Sequence, residues 1–374
     1  MEEEEIIDLV RKHEKFKLSG INLVASENRI SKIALKILAS DLSGRYGNEW
    51  YGGSQYSLEI CECVKKKIEK LFGVKYSLIT PVSGNICDLA VIFSFTKCGD
   101  EVAGISKKDG GYPLGYHKFE RKFYSLPTKY YSIDENKMQK INRDFPLTLI
   151  ASSICPFPHP VEKISKKFSG TIVYDASHVL GLIAGKKFQL PLKEGCHVMI
   201  GSTHKSFPGP QGGIVLTNIK EMAEKLSEYL HFEFENGIGL VDNPHLNRIA
   251  CLGFVTEELI KKGREYAVQT VKNAKFLAES LYELNVPVKF AEKGFTESHQ
   301  VLLELNGVKS NKFYKLLEKN HIFIDCIGRI GVAEATYIGM KEEEMNEIAH
   351  MIADVYKGKD VKKKAVKMAK KFYT

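Results

Sequence analysis

One tryptophan in 374 residues, eight scattered cysteines and no long apolar run are what the chain most plainly lacks. No stretch approaches the roughly 18 consecutive apolar residues that a bilayer-spanning helix needs, and the acidic start, MEEEE, is the reverse of a basic signal peptide. These features read as a cytoplasmic protein without a membrane partner. Cys61, Cys63, Cys87, Cys98, Cys155, Cys196, Cys251 and Cys326 form no CxxC pair and are too thinly spread for a disulfide framework, so no metal site is expected. The formal charge of +8 is also mostly local, because residues 357–374 hold eight lysines against Asp360. The rest of the chain is close to neutral. Val361, Ala365, Met368 and Phe372 recur in that tail at helical spacing, which predicts a terminal helix with one docked face and solvated lysines. A polyanion-binding tail, and with it a nucleic-acid-associated protein, is the reading from another class, though no RNA-binding motif supports it.

What is present is a globular composition, 44% apolar and 27% charged, over a length suited to two domains. Short runs rich in Val and Ile, at Leu147–Ser152, Thr171–Tyr174, Val198–Ser202 and Ile214–Thr217, alternate with helical stretches, an α/β pattern. Cys61–Phe72 reads as an amphipathic helix closed by Gly73, and Asn85–Phe95 as a buried helix starting after Ser83 and Gly84. Past Asn243-Pro244 the pattern changes to helices at Leu246–Lys262 and Arg264–Leu284. A short strand at Val301–Leu305 and a helix at Glu342–Tyr356 follow. This gives an N-terminal segment (1–45) packing on the small domain, a large domain (46–245), and a small C-terminal domain (246–374) ending in the basic helix.

Two segments carry chemistry. In GSTHKSFPGPQGG (201–213) a strand delivers Lys205 into a loop stiffened by Gly and Pro, at the edge where open α/β sheets bind ligands. Partial desolvation there makes an amine nucleophilic, as a Schiff-base lysine requires. In TIVYDASHVLGL (171–182) a strand brings Asp175 to its carboxyl end, with His178 next in the turn. A carboxylate so placed suits the protonated ring nitrogen of a pyridoxal cofactor. Taken singly, Lys205 reads as a surface lysine and Asp175 as a helix N-cap. Together they favour catalysis.

INLVASEN (21–28), WYGGSQY (50–56), PVSGNICDLAV (81–91), YDASHVLGLIAG (174–185), STHKSFPGPQGG (202–213), GRIGVAEAT (328–336) and EEEMNEIAHMIADV (342–355) resemble, in order, the serine hydroxymethyltransferase family. The resemblance implies fold type I, the aspartate aminotransferase fold. In it a large pyridoxal-phosphate-binding domain with a mainly parallel central sheet is joined to a smaller α+β domain. It implies pyridoxal 5′-phosphate as cofactor, an amino-acid substrate in one-carbon metabolism, and a homodimer. Position by position it makes Lys205 the Schiff-base lysine preceded by His204, Asp175 the partner of the pyridine nitrogen, and His178 a neighbour of the phenolic oxygen. Ser83, Gly84 and Asn85 match the phosphate turn, whose helix N-terminus suits an anion. Tyr112 stands for a ring-stacking histidine, Arg329 for the arginine that binds the substrate carboxylate, and Ser26 for a second contact to it. Tyr51 matches an active-site tyrosine. Glu49 matches, across a shortened loop, the glutamate that handles protons in aldol cleavage.

The chain also departs from the family. Lys107 replaces an apolar residue of the folate pocket, and NHIFIDCIG (320–328) lacks the Pro- and Ser-rich loop that meets the pterin. Asp242-Asn243 occupies the place of a Gly pair, and Gln211 and Ile338 stand where arginines are usual. Two activities therefore remain open beside tetrahydropterin-dependent serine–glycine exchange. One is folate-independent aldol cleavage of a β-hydroxy amino acid. The other is a lyase or transferase reaction on an anionic or carrier-bound amino acid, to which Lys107 and Lys108 point. Poor tetrahydrofolate binding is the expectation.

Overall fold

The computed structural model describes residues 2–233 and 237–373. The chain divides into two compact units, Asn28–Ala267 and, taken together, Met1–Glu27 with Val268–Thr374.

The larger unit is built on a seven-stranded sheet: β1 (Tyr76–Leu78), β2 (Glu101–Gly104), β3 (Lys122–Ser125), β4 (Leu147–Ala151), β5 (Thr171–Asp175), β6 (Val198–Ser202) and β7 (Gly213–Thr217). Their spatial order is β1-β7-β6-β5-β4-β2-β3. The β3-β2, β2-β4, β4-β5 and β5-β6 pairings are parallel, and β7 runs antiparallel to β6 and β1. β4, β6 and β7 are buried along their whole length, which explains why these strands read as continuous apolar runs rather than alternating ones. The register sets Asp175 level with Ala151 on one side and Ile200 on the other, so parallel strands present their carboxyl ends along one edge. Chain order reverses between β2 and β4, the kind of switch point at which such sheets leave a crevice.

Helix α1 (Gln55–Phe72) buries Val64, Ile68 and Leu71 and ends on Gly73, whose φ of 69° is the left-handed cap glycine favours. It starts earlier than the apolar pattern suggests, because its first turn is largely polar. Helix α2 (Gly84–Phe95) is N-capped by Ser83, whose hydroxyl accepts from Ile86 N. A short helix α3 (Leu180–Ala184) is fully buried. The two helical stretches expected on either side of Gly263 are one helix, α4 (Leu246–Glu283). A single glycine weakens a helix without ending it. The close approach at this point is made by Gly185, where a side chain would overlap the Gly263 carbonyl and the Ala267 methyl group.

The smaller unit pairs Ile21–Asn22 with Ile322–Phe323 in parallel and Gln300–Leu302 with Arg329–Gly331 in antiparallel. One apolar core joins Ile21, Leu23, Leu277, Leu281, Ile330 and Ile352. The helix Glu342–Tyr356 has the bounds its periodicity predicts. The basic tail folds as Lys362–Tyr373. It buries Val361, Ala365 and Met368, half-buries Phe372 and leaves its lysines outside, as the spacing requires. Among the described residues no helix is long and apolar enough to cross a membrane.

Glycine geometry gives a paired prediction. A methyl group at Gly181 would overlap the Ser206 carbonyl oxygen, whereas one at Gly263 would meet only Leu259, at 3.4 Å. Gly181→Ala should lower the unfolding free energy by about 1–3 kcal/mol through overpacking. Gly263→Ala should raise it by about 0.5–1 kcal/mol through helix propensity. Denaturant titration of both variants measures the two signs.

Candidate active site

The site begins with the polar ends of apolar strands. Asp175 closes β5 with only 8% of its surface exposed. Its Oδ1 accepts from Ser177 N at 2.8 Å and Ser177 Oγ at 2.5 Å, a turn that fixes the plane of the carboxyl group. Ser177 Oγ in turn accepts from Ser202 N at 2.9 Å and so ties the turn after β5 to the end of β6. His178, in the same turn, is buried.

Lys205 lies three residues beyond β6, and its Nζ donates to Ser202 Oγ at 3.3 Å. The loop around it is closed by its own bonds: Thr203 N to Gly212 O, Gly209 N to Thr203 O, and Thr203 Oγ1 to Pro210 O. Asn28 Nδ2 holds the Lys205 carbonyl at 2.7 Å, and Tyr266 Oη holds the Ser206 carbonyl at 2.7 Å. Backbone bonds and buried partners thus fix the loop and leave the lysine side chain as its reactive part. His204, just before it, is half-buried.

The N-terminus of α2 packs against these strand ends. A side chain at Gly84 would collide with Ser202 Oγ, and one at Gly213 with Cys87 Sγ and the Ser83 carbonyl. Only glycine at both places permits this approach. Ser83, Gly84 and Asn85 accordingly form the first turn of a 12-residue helix, a ready anion site at the same edge as Asp175 and Lys205. Tyr112 is attached there through Tyr112 N to Ala151 O, at 2.9 Å, and its hydroxyl reaches Asn85 Oδ1 at 3.4 Å. Burial, and then the charges of Asp88 and Asp175, push the Tyr112 phenol up, so it remains a neutral donor.

Asp88 was not among the residues singled out from sequence. It sits on α2, 1% exposed, one turn beyond the glycine of the phosphate turn. Burial, then the neighbouring Asp175 charge, hold its carboxyl well above the usual range, against a lowering by Lys205. Burial also raises Asp175, but Lys205 and the two Ser177 donors counter it. The donors decide which of the two is ionised. Asp175 has them, which favours its charged form, whereas Asp88 lacks them and is pushed further toward its protonated form. The available signal was the period of α2, since Gly84, Asp88 and Val91 share the buried face.

Glu49 and Tyr51 lie elsewhere in the larger unit, on an exposed turn where the Tyr51 ring rests on Tyr46 at 4.6 Å. Neither makes a hydrogen bond with Asp175 or Lys205 in this chain. A cavity of about 690 Å³ adjoins the Asn85–Tyr112 corner, with Lys107, His117 and Lys118 among its lining residues.

In the smaller unit, Arg329 opens its strand at 8% exposure, and its Nε donates to Asp325 Oδ2 at 2.7 Å. Asp325 Oδ1 accepts from Arg329 N at 3.0 Å, which holds the guanidinium plane. Asp325 was also missed, although its i,i+4 spacing from Arg329 is visible in the sequence. Gly331 N bonds to Leu23 O at 2.8 Å, so the Arg329 strand runs beside the segment that ends in half-buried Ser26.

The family model for serine hydroxymethyltransferase matches residues 1–352. The serine hydroxymethyltransferase of Methanothermobacter marburgensis is 38% identical, with 96% of this chain and 91% of that one covered. That of Pyrococcus furiosus is 34% identical, with 97% and 93% covered. Among solved structures, L-threonine transaldolase from Pseudomonas fluorescens, in its internal aldimine state, superposes with a TM-score of 0.88 at 25% identity over 99% of this chain and 90% of that one.

Ser177 gives a pH-dependent prediction. Ser177→Ala removes the donor to Asp175 and the acceptor for Ser202 N, and should lower stability by about 1–3 kcal/mol at neutral pH. Ser177 favours the ionised carboxylate, so the loss should shrink as pH falls and Asp175 protonates. Denaturant titrations in mildly acidic and mildly alkaline buffer test this. Equal losses in both would mean that the hydroxyl does not act through Asp175.

Proposed function

Because the chain belongs to the serine hydroxymethyltransferase family, we propose that it is a pyridoxal-phosphate enzyme that works on an amino acid at Cα or at the Cα–Cβ bond, with Lys205 as the covalent anchor of the cofactor. The observation that carries this is the convergence at one sheet edge of a buried aspartate held by two donors, a loop-held lysine and a helix N-terminus. The residues fit the group, for they offer an anion cradle, a carboxylate partner for a ring nitrogen, an amine, and a buried carboxyl oxygen on Asp88 with no hydrogen-bond partner among the described residues.

When bound, pyridoxal phosphate supplies an electron-poor ring that accepts the charge left at Cα as a bond there breaks. Asp175 holds the proton on the ring nitrogen and so keeps the ring electron-poor. Ser83, Gly84 and Asn85 receive the phosphate, and Tyr112 covers the ring as a neutral aromatic. His178 and His204 flank the cofactor's polar edge. Arg329, its plane set by Asp325, takes the substrate α-carboxylate with Ser26 as a second contact. Glu49 and Tyr51, exposed in this chain, act on the cofactor of a second copy in a homodimer. Exposed Ile6, Ile7, Leu9 and Val10 on the N-terminal helix Glu2–Leu18 supply apolar surface for such an assembly.

Serine–glycine exchange with a tetrahydropterin is the reaction the family implies. A second reading, aldol cleavage or group transfer with an anionic or carrier-bound partner, is favoured by the cations Lys107 and Lys118 lining the cavity beside Tyr112.

Borohydride reduction of the yellow protein followed by peptide mapping should place the cofactor label on Lys205. A label on another lysine, or no cofactor uptake, would overturn the reading. Arg329→Lys keeps the charge but loses the planar fork, and should weaken amino-acid binding by about 1.5–3 kcal/mol. Cofactor absorbance should persist. Amino-acid titrations of the visible spectrum read both effects, and unchanged affinity in Arg329→Ala would place the carboxylate elsewhere.

A further inference from the structure

Asp88 is a buried acid that the mechanism above leaves unused. Its Oδ1 is shut off from solvent and has no hydrogen-bond partner among the described residues, an arrangement that native structures rarely keep without a reason. Along α2 its sequence neighbours Cys87, Val91 and Ile92 are buried, and the Cys87 thiol is turned to the Ser83 and Ile214 carbonyls. The titratable groups near it are Asp175 from the end of β5, Lys205 beyond β6, Tyr112 and Tyr116 after β2, and the adjacent Cys87. Of these, Asp175 and Lys205 belong to the proposed cofactor site, and Tyr112 covers it.

We propose that Asp88 is a further cofactor-binding residue, a neutral carboxylic acid that donates its hydrogen bond to the bound cofactor while Asp175 serves as the anion. The inference rests on the pyridoxal-phosphate reading of this site and adds a division of labour to it. Of the two neighbouring carboxyls, Asp175 accepts from two Ser177 donors, whereas Asp88 Oδ1 has no donor among the described residues. No bond is made or broken at Asp88, whose proton is shared and not transferred. A second anion at this position would oppose Asp175 and the cofactor's own negative groups, so binding should require the protonated form.

The test is the affinity of the apoprotein for pyridoxal phosphate, followed by fluorescence and calorimetry across pH, in the parent and in Asp88→Asn and Asp88→Leu. Asparagine keeps a donor and the shape, so Asp88→Asn should bind within about threefold of the parent at neutral pH. Leucine keeps the volume and no donor, so Asp88→Leu should lose about tenfold, the worth of one hydrogen bond. As pH rises and the parent must recapture a proton to bind, its affinity should fall relative to that of Asp88→Asn. Calorimetry in buffers of different ionisation enthalpy should then show proton uptake by the parent that the asparagine variant lacks.

Parental affinity in Asp88→Leu, or an Asn-to-parent ratio that stays flat with pH, would overturn the proposal. So would an asparagine variant as weak as the leucine one, because the charge and not the proton would then matter. Should Asp88→Leu fail to fold, the pH dependence of the asparagine ratio decides alone. If the parent takes up no pyridoxal phosphate, the reading of the site fails and this inference falls with it. Parental binding with silent Asp88 variants removes the inference only.

Discussion

The arrangement depends on keeping Asp175 ionised at the closed end of a sheet where water hardly reaches. Burial by itself raises the pKa of the carboxyl, and one charge and two donors oppose that: the ammonium group of Lys205, and the hydroxyl and backbone of Ser177. Much of the surrounding structure serves those donors. Ser202 is bonded at its N–H to Ser177 and at its hydroxyl to Lys205, so the turn after β5 and the loop after β6 share one residue. Asn28, Tyr266 and the internal bonds of the 203–212 loop then hold Lys205 in place. A shift in any of them would weaken the stabilisation of a charge that the interior does not otherwise tolerate.

Glycine makes the constellation compact. Gly84, Gly181 and Gly213 each stand where a single added carbon would strike a site-forming atom of a neighbouring element. Without those approaches the helix N-terminus and the two strand ends would stand farther apart, and the partial positive charge of the helix end would act at longer range. In the smaller unit the equivalent constraint is the Asp325 carboxylate, which holds Arg329 by both backbone and side chain. An arginine anchored in this way loses little further freedom when it meets a second planar anion.

The features legible in the sequence were those with strong local period or strong chemistry. The bounds of β6 and of the helix Glu342–Tyr356 followed from apolar spacing, as did the docked face of the tail. Asp175 stood out because it ends an apolar strand, and Lys205 because it follows one in a loop rich in Gly and Pro. Helix α4 was misread as two because a glycine lies inside it, and a single glycine weakens a helix without ending it. Asp88 and Asp325 escaped for another reason. A carboxylate within a helix or loop looks solvated until tertiary contacts show what it faces. For Glu49 and Tyr51 a single chain shows only an exposed turn.

The central claim is that Asp175 is the anion at this site and holds the proton of the cofactor ring. Its most direct measurement is the ¹⁵N chemical shift of the ring nitrogen in protein loaded with ¹⁵N-labelled pyridoxal phosphate, followed from neutral to about pH 9, where an ion-paired ring proton should be retained. The account predicts a protonated pyridinium signal throughout that range, lost on Asp175→Asn. A neutral pyridine signal at neutral pH in the parent protein would contradict it.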